Sequence, residues 1–283
     1  MKSLSYRILN VFAREGRLTG NPLCVFEDGR GVDDATMQAL ARQLNLSETT
    51  FILPSEKAAA RVRIFTPAYE MSFAGHPTLG TAHVVRSLRG GGDALALEMT
   101  AGIIPVNAKA DRWTLRANAA RSRAVEQSNA ELAAMLGLKG ADIAESPLWV
   151  NAGKEQLMVP VKSAEAVRRA KPGADAFSRL KSEDGQSMAY VFFDAGGAVE
   201  ARFFFPGGAS IIEDPATGSA CANLGGWLAA MQPGKSLERT VSQGEAIHRP
   251  STLYLTVKAS TPGQGEIFVG GNVIELGRGT VNL

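Results

Sequence analysis

The chain has 283 residues, room for one large domain or two of ordinary size, and its 45% hydrophobic and 20% charged content suits a globular protein with a buried core. Thirty basic residues against 28 acidic ones leave a net charge of +2, which points away from nucleic acid and anionic membranes as partners. The apolar stretches are short and interrupted, the opening Met1-Lys2-Ser3-Leu4-Ser5-Tyr6-Arg7 lacks the run of a signal peptide, and two cysteines make no disulfide framework, so a cytoplasmic protein is expected.

Along the chain, Cys24 lies in an apparent strand, and residues 34–44 read as a helix. Glu48-Thr49-Thr50-Phe51-Ile52-Leu53 and residues 61–65 are rich in β-branched and aromatic residues and read as strands. A helix is expected over 77–88, with Pro77 at a favoured first helical position and Arg89-Gly90-Gly91-Gly92-Asp93 as the stop. Strand-like Trp113-Thr114-Leu115 gives way over 116–127 to polar, Ala-rich sequence, where a domain boundary is expected. Helices follow at 129–136 and 164–170, strands at 188–193 and 199–205, and a helix at 215–231 behind Asp214, a preferred capping residue. Val273-Ile274-Glu275-Leu276 is expected to return to the first half.

The strongest feature is an internal repeat. Arg63-Ile64-Phe65-Thr66-Pro67 recurs as Arg202-Phe203-Phe204-Phe205-Pro206, and His76-Pro77-Thr78-Leu79-Gly80-Thr81-Ala82 lines up with Asp214-Pro215-Ala216-Thr217-Gly218-Ser219-Ala220. The offsets are 139 and 138 residues, close to half the chain. Two matches in the same order at nearly one offset indicate a duplicated domain. The expected halves are 1–118, joined by 273–283, and 119–272. Each is expected to be α+β, a mostly antiparallel sheet wrapped around or packed against a central helix.

A helix N-terminus offers unpaired N–H groups and partial positive charge, so it attracts carboxylates and phosphates. Two related ends would each carry a titratable group, His76 in one half and Asp214 in the other. The small residues Gly80-Thr81-Ala82 and Gly218-Ser219-Ala220 would let a ligand approach the backbone. Asp214 alone reads most simply as an N-cap and His76 as a satisfied turn residue. The matched positions favour a functional pair, because histidine is not a preferred cap. Glu48 has a bland reading as a solvated residue at a strand start; if partly buried, it would suit proton shuttling. No Gly-x-Gly-x-x-Gly or Walker loop is present, and His76, His83 and His248 lack metal spacing, so no cofactor is expected. His83 reads as a helix-face residue and His248 as a loop residue. Ser219 has no nucleophile elbow around it and is better placed as a donor to a substrate anion.

Gly20-Asn21-Pro22-Leu23, Ser47-Glu48-Thr49-Thr50-Phe51, Phe73-Ala74-Gly75-His76-Pro77-Thr78-Leu79-Gly80 and Glu213-Asp214-Pro215-Ala216-Thr217-Gly218-Ser219-Ala220 resemble the motifs of the PhzF-like phenazine-biosynthesis family. The resemblance runs from about Leu9 to Gly279. It implies a fold similar to diaminopimelate epimerase, with two similar halves and the site between them. It implies a cofactor-independent isomerase, the founding activity being isomerisation of trans-2,3-dihydro-3-hydroxyanthranilate, and a homodimer. By the same resemblance Glu48 moves the proton, and His76 and Asp214 position a small carboxylate-bearing substrate and assist. Gly218 and Ser219 meet the substrate carboxylate, and Ser47 and Gly75, within these motifs, also bind substrate.

Two segments depart from the family pattern: His248-Arg249-Pro250-Ser251, where many relatives have Gly before Arg-Pro-Ser, and Ala68-Tyr69-Glu70-Met71-Ser72, usually of Glu-Leu-Pro-Phe style. Epimerases of the wider superfamily carry one cysteine at each helix mouth, which here falls near Gly75 and Pro215. Cys24 and Cys221 are elsewhere and read as small buried hydrophobes, which disfavours a two-thiol racemase. The alternatives are an epimerase or racemase of an amino-acid derivative, or a non-catalytic binding or scaffold protein on the same fold. Intact Glu48, His76 and Asp214 favour the enzyme.

Overall fold

The computed structural model describes residues 2–144, 146–259 and 265–283; Met1, Glu145 and residues 260–264, which fall within the two expected halves, lie outside the described residues. The chain divides into two compact units, Met1–Arg116 with Gly270–Leu283, and Ala117–Val269. Among the described residues no helix is long and apolar enough to cross a membrane.

The first unit contains β1 (Ser3–Ala13), β2 (Asn21–Phe26), α1 (Asp34–Leu44), β3 (Glu48–Leu53), β4 (Ala60–Phe65), β5 (Glu70–Met71), α2 (Gly75–Arg89), β6 (Ala94–Met99), β7 (Gly102–Lys109) and β8 (Arg112–Arg116). The second contains β9 (Arg121–Ala124), α3 (Asn129–Met135), β10 (Leu148–Asn151), β11 (Glu155–Pro160), α4 (Ala164–Arg169), α5 (Ala174–Phe177), β12 (Ala189–Asp194), β13 (Ala198–Gly207), β14 (Ser210–Asp214), α6 (Gly218–Met231), β15 (Leu237–Gln243) and β16 (Ser251–Ala259). The last strand, β17 (Gly265–Asn282), gives its residues from Gly270 onward to the first unit, where it pairs antiparallel with β1.

Both units use one pairing scheme. In the first, β1–β2 is antiparallel, β2–β3 parallel, β3–β4 antiparallel, β4–β6 parallel and β6–β7 antiparallel. In the second, β10–β11, β11–β12, β12–β13, β13–β15 and β15–β16 repeat these senses in the same order. Each parallel pair needs a crossover, and helices supply it: α1 between β2 and β3, α4 and α5 between β11 and β12, α2 before β6, and α6 before β15.

Local chemistry sets several boundaries. α1 starts where the Asp33 carboxylate accepts from Thr36 N at 2.7 Å, and α3 where Ser128 and Glu131 form a capping box. In the first unit, Phe26 and Phe51 stack at 4.7 Å and Phe65 meets Phe51 edge-on at 5.6 Å, under Met37, Leu40 and Ala41 of α1. In the second, Leu132, Val167 and Phe177 from α3, α4 and α5 pack on Trp149, Leu157 and Val191 of β10, β11 and β12.

The repeated arginine does the same work twice. Arg63 lies over the Phe65 ring at 5.0 Å and pairs with Glu70 on the neighbouring strand β5 at 2.6 Å. Arg202 lies over the Phe204 ring at 4.8 Å and pairs with Glu213 on the neighbouring strand β14 at 2.6 Å. The duplication therefore extends to Glu70 and Glu213.

The two repeated helices differ from expectation in where they begin. α2 starts at Gly75, before His76, so Pro77 sits inside the first turn, where its missing N–H removes nothing. α6 starts only at Gly218, with extended Thr217 as its N-cap, rather than at Pro215. Asp214 is not a cap: it ends β14, paired with Phe203, and the residue before a proline is pushed toward extended backbone.

Candidate active site

In the first unit, Gly20, at φ +81°, turns the chain so tightly that a Cβ there would lie 2.5 Å from the Val11 carbonyl oxygen. Asn21 then pairs with Val11 and Pro22 with Asn10 along β1. Next in the sheet comes β3, paired to β2 on one side and β4 on the other, with Glu48 opposite Leu23 at its first position. Glu48 is thus not the solvated residue of the bland reading; its side chain is 16% exposed.

His76, in the first turn of α2, brings its Nε2 to 3.3 Å from Glu48 Oε2, within ion-pair range but outside hydrogen-bond angles. Its other ring nitrogen donates to the Pro22 carbonyl. His76 is therefore a buried helical residue, not a turn residue. Burial holds its pKa down at about 3, against the smaller upward pull of the Pro22 hydrogen bond, so the imidazole is neutral near pH 7. Ser47 is exposed in the bend before β3, and Gly75, half-buried, opens α2. Ala74, the N-cap, makes no side-chain cap, so the first-turn N–H groups of α2 are not claimed by one.

The small residues Gly80, Thr81 and Ala82 do not serve ligand approach. All three are buried in the second turn of α2; a Cβ on Gly80 would lie 2.5 Å from Leu23 Cδ2, and Thr81 and Thr50 share a hydrogen bond at 2.8 Å. Their smallness seats the helix on β1 and β2. Their counterparts Gly218 and Ser219 sit at the open first turn of α6, because that helix begins later.

In the second unit, the Asp214 carboxylate is held by its neighbours. Thr217 Oγ1 donates to Asp214 Oδ2 at 2.5 Å. Buried Gln243 donates to the Asp214 carbonyl at 2.9 Å and to Thr217 Oγ1 at 3.0 Å, and its Oε1 accepts from Thr217 N and from Tyr190 Oη, each at 3.3 Å. Because Gln243 occupies Thr217 Oγ1 as an acceptor, the hydroxyl proton is directed to Asp214. Ser219 Oγ accepts from Gln156 Nε2 at 2.9 Å. Thr217, Gln243, Gln156 and the Pro22 carbonyl were not singled out for roles from sequence. The legible signals were a Gly-Asn-Pro turn and a polar pair, Glu155-Gln156, in an otherwise apolar strand.

The other histidines are structural. His83 Nδ1 accepts from Trp113 Nε1 at 3.3 Å, and burial lowers its pKa. His248 closes a 3₁₀ turn at φ +57°. Among the described residues no group of three or more His, Cys, Asp or Glu could hold a metal ion.

Both cysteines are free and buried, Cys24 on β2 and Cys221 in α6. Burial pushes the Cys24 thiol up to about 12 and raises Cys221 further, so neither forms a thiolate near neutrality. The native protein should be inert to a water-soluble aromatic disulfide, with both thiols titrating only after unfolding in denaturant. One thiol reacting fast in the folded state would contradict this burial and reopen thiol chemistry.

A sequence model of the phenazine biosynthesis-like protein family (PhzC-PhzF) matches residues 9–277. An uncharacterized isomerase of Pasteurella multocida is 36% identical over 279 residues, covering 97% of this chain and 93% of that protein. The trans-2,3-dihydro-3-hydroxyanthranilate isomerase of Pseudomonas aeruginosa is 33% identical over 288 residues, covering 98% and 99%. The crystal structure of a PhzF-family phenazine biosynthesis protein from Bacillus anthracis superposes with a TM-score of 0.89 at 28% identity, covering 100% of both chains. This sheet-rich α+β chain is an isomerase. It belongs to the phenazine biosynthesis-like PhzC-PhzF family.

Proposed function

We propose that this isomerase moves a proton on a small, carboxylate-bearing substrate of the dihydro-hydroxyanthranilate kind, by general acid–base catalysis centred on Glu48 and without metal or organic cofactor. The observation that carries the reading is the Glu48–His76 contact at 3.3 Å. With the imidazole neutral and its other nitrogen committed to Pro22, Nε2 presents a lone pair to the carboxyl group. A proton taken up by the Glu48 carboxyl group has this neutral acceptor within reach once the two groups come into line, so the pair can hold one proton. Isomerisation breaks one carbon–hydrogen bond and forms another while a double bond shifts, and such a store can accept the first proton, exchange it with solvent and deliver a proton to the second carbon. His76 orients Glu48, Asp214 orients the substrate, and Ser47, Gly75, Gly218 and Ser219 bind it. The uncapped first turns of α2 and α6 suit the carboxylate. A sheet wrapped around the central helix of each unit, a homodimer and a cytoplasmic setting complete the proposal.

The test uses trans-2,3-dihydro-3-hydroxyanthranilate in heavy water. Glu48, equilibrated with solvent, should place deuterium at the new carbon–hydrogen bond, with a chelator present and no flavin, nicotinamide or pyridoxal added. Product without deuterium, or turnover abolished by the chelator, would overturn the reading.

A further inference from the structure

Behind Ser219 lies a buried amide relay whose polarity is fixed by the backbone. Asn223, one turn further along α6, is 1% exposed, and Gln156 on β11 is 2% exposed. The Ala152 N–H can only donate, and it donates to Asn223 Oδ1 at 2.7 Å. The Lys154 carbonyl can only accept, and it accepts from Asn223 Nδ2 at 2.9 Å. These two backbone groups leave the Asn223 amide a single orientation, which settles an assignment that is otherwise ambiguous for an amide. The second proton of Nδ2 goes to Gln156 at 2.8 Å, so the atom facing it must be Oε1. Gln156 therefore turns Nε2 to Ser219 Oγ at 2.9 Å. The serine oxygen is an acceptor toward Gln156, and its own proton must point elsewhere. Ser219 itself is exposed at the first turn of α6, beside N–H groups that no side chain caps.

We infer that Gln156 and Asn223 are positioning residues that fix the Ser219 hydroxyl as a hydrogen-bond donor to the anionic group of the substrate. The inference rests on Ser219 meeting the substrate carboxylate, as proposed above. An unfixed serine hydroxyl can present either a proton or a lone pair, and a lone pair repels a carboxylate. The relay occupies one of the two lone pairs and keeps the proton off Gln156, leaving it for the ligand, and does so with neutral groups, so no buried charge competes with the anion.

The test measures binding of 3-hydroxyanthranilate, the aromatic counterpart of the Pseudomonas enzyme's substrate, by calorimetry. Ser219→Ala should weaken it about 10- to 100-fold, the loss of a hydrogen bond to a charged group. Gln156→Glu should weaken it at least as far near pH 8, because the new carboxylate accepts the serine proton and turns the hydroxyl inward. Protonating that carboxyl gives it an O–H that donates to Ser219 as the amide did. Affinity should therefore recover as pH falls between about 8 and 5.5, burial raising the carboxyl's pKa toward neutrality. Gln156→Met, isosteric and uncharged, should weaken binding several-fold without that recovery, and should add almost nothing once Ser219→Ala is present. It serves if Gln156→Glu fails to fold. A Gln156 of purely structural role would give the same further loss in the Ser219→Ala background and no recovery in acid; either result would overturn the relay. Unchanged binding by Ser219→Ala would instead overturn the assignment of Ser219. A wild-type protein that does not bind the probe would overturn the substrate reading, and the relay with it.

Discussion

Replacing Glu48 with glutamine should lower turnover of trans-2,3-dihydro-3-hydroxyanthranilate by about 10²–10⁴-fold, the usual contribution of a general acid–base group. The amide keeps the shape of the side chain, which is 16% exposed and 3.3 Å from His76 Nε2. It cannot give up and regain a proton in the way a carboxyl group does. Binding of 3-hydroxyanthranilate should persist within a few-fold, so the loss appears in kcat rather than in KM. His76→Ala should lower the rate as well, since it removes the group that faces the Glu48 carboxyl, while leaving the Pro22 carbonyl without its donor. Asp214→Asn should raise KM and lower kcat together, because Asp214 is assigned to orient substrate. Near-normal turnover by Glu48→Gln, measured by product absorbance at saturating substrate, would refute the role of Glu48.

The second large effect concerns stability and separates the two repeated arginines. Arg202 and Glu213 are 15% and 7% exposed, and the Arg202 Nη1 also donates to the Val167, Arg168 and Ala170 carbonyls at 3.3, 3.0 and 2.6 Å. Those carbonyls belong to the end of α4, so one guanidinium closes a helix and pairs a strand. Removing one partner strands a buried charge, which costs about 3–5 kcal/mol. Arg202→Ala should therefore lower the melting temperature by roughly 6–20 °C, at 2–4 °C per kcal/mol for a unit of this size. Replacing Arg202 and Glu213 together with apolar residues should recover much of the loss. Arg63 has the same place in the repeat, but its partners Asp34 and Glu70 are 83% and 34% exposed. Solvent screens such pairs, so Arg63→Ala should cost only about 0–1 kcal/mol. Equal losses from the two single variants, read by calorimetric unfolding, would contradict the difference in environment.

What was written locally in the chain was legible. The helix at Asp34–Leu44 and the strand at Glu48–Leu53 have the bounds read from sequence, because an aspartate cap and a run of β-branched and aromatic residues act within a few positions. The doubled Arg-x-Phe-x-Pro motif pointed to duplication, and the structure shows the reason: in each copy the arginine covers a phenylalanine and pairs with a glutamate on the adjoining strand. The family motifs carried Glu48 and His76, which the fold brings to 3.3 Å.

Tertiary structure decided what depends on distant partners. Identical Pro-x-x-Gly signals start one helix before the proline and the other after it, because the ladder with β13 holds Asp214 extended. The small residues after His76 suggest room for a ligand, but Leu23 and Val11 fill that space at Gly80. Burial, not sequence, makes His76 neutral. That Ser219 accepts from Gln156 and does not donate to it is set by an amide 63 positions earlier in the chain, itself oriented through Asn223 by the backbone of Ala152 and Lys154. Hydrogen-bond polarity passes from group to group only where the fold has placed them in contact, so residue type and spacing alone could not have fixed it.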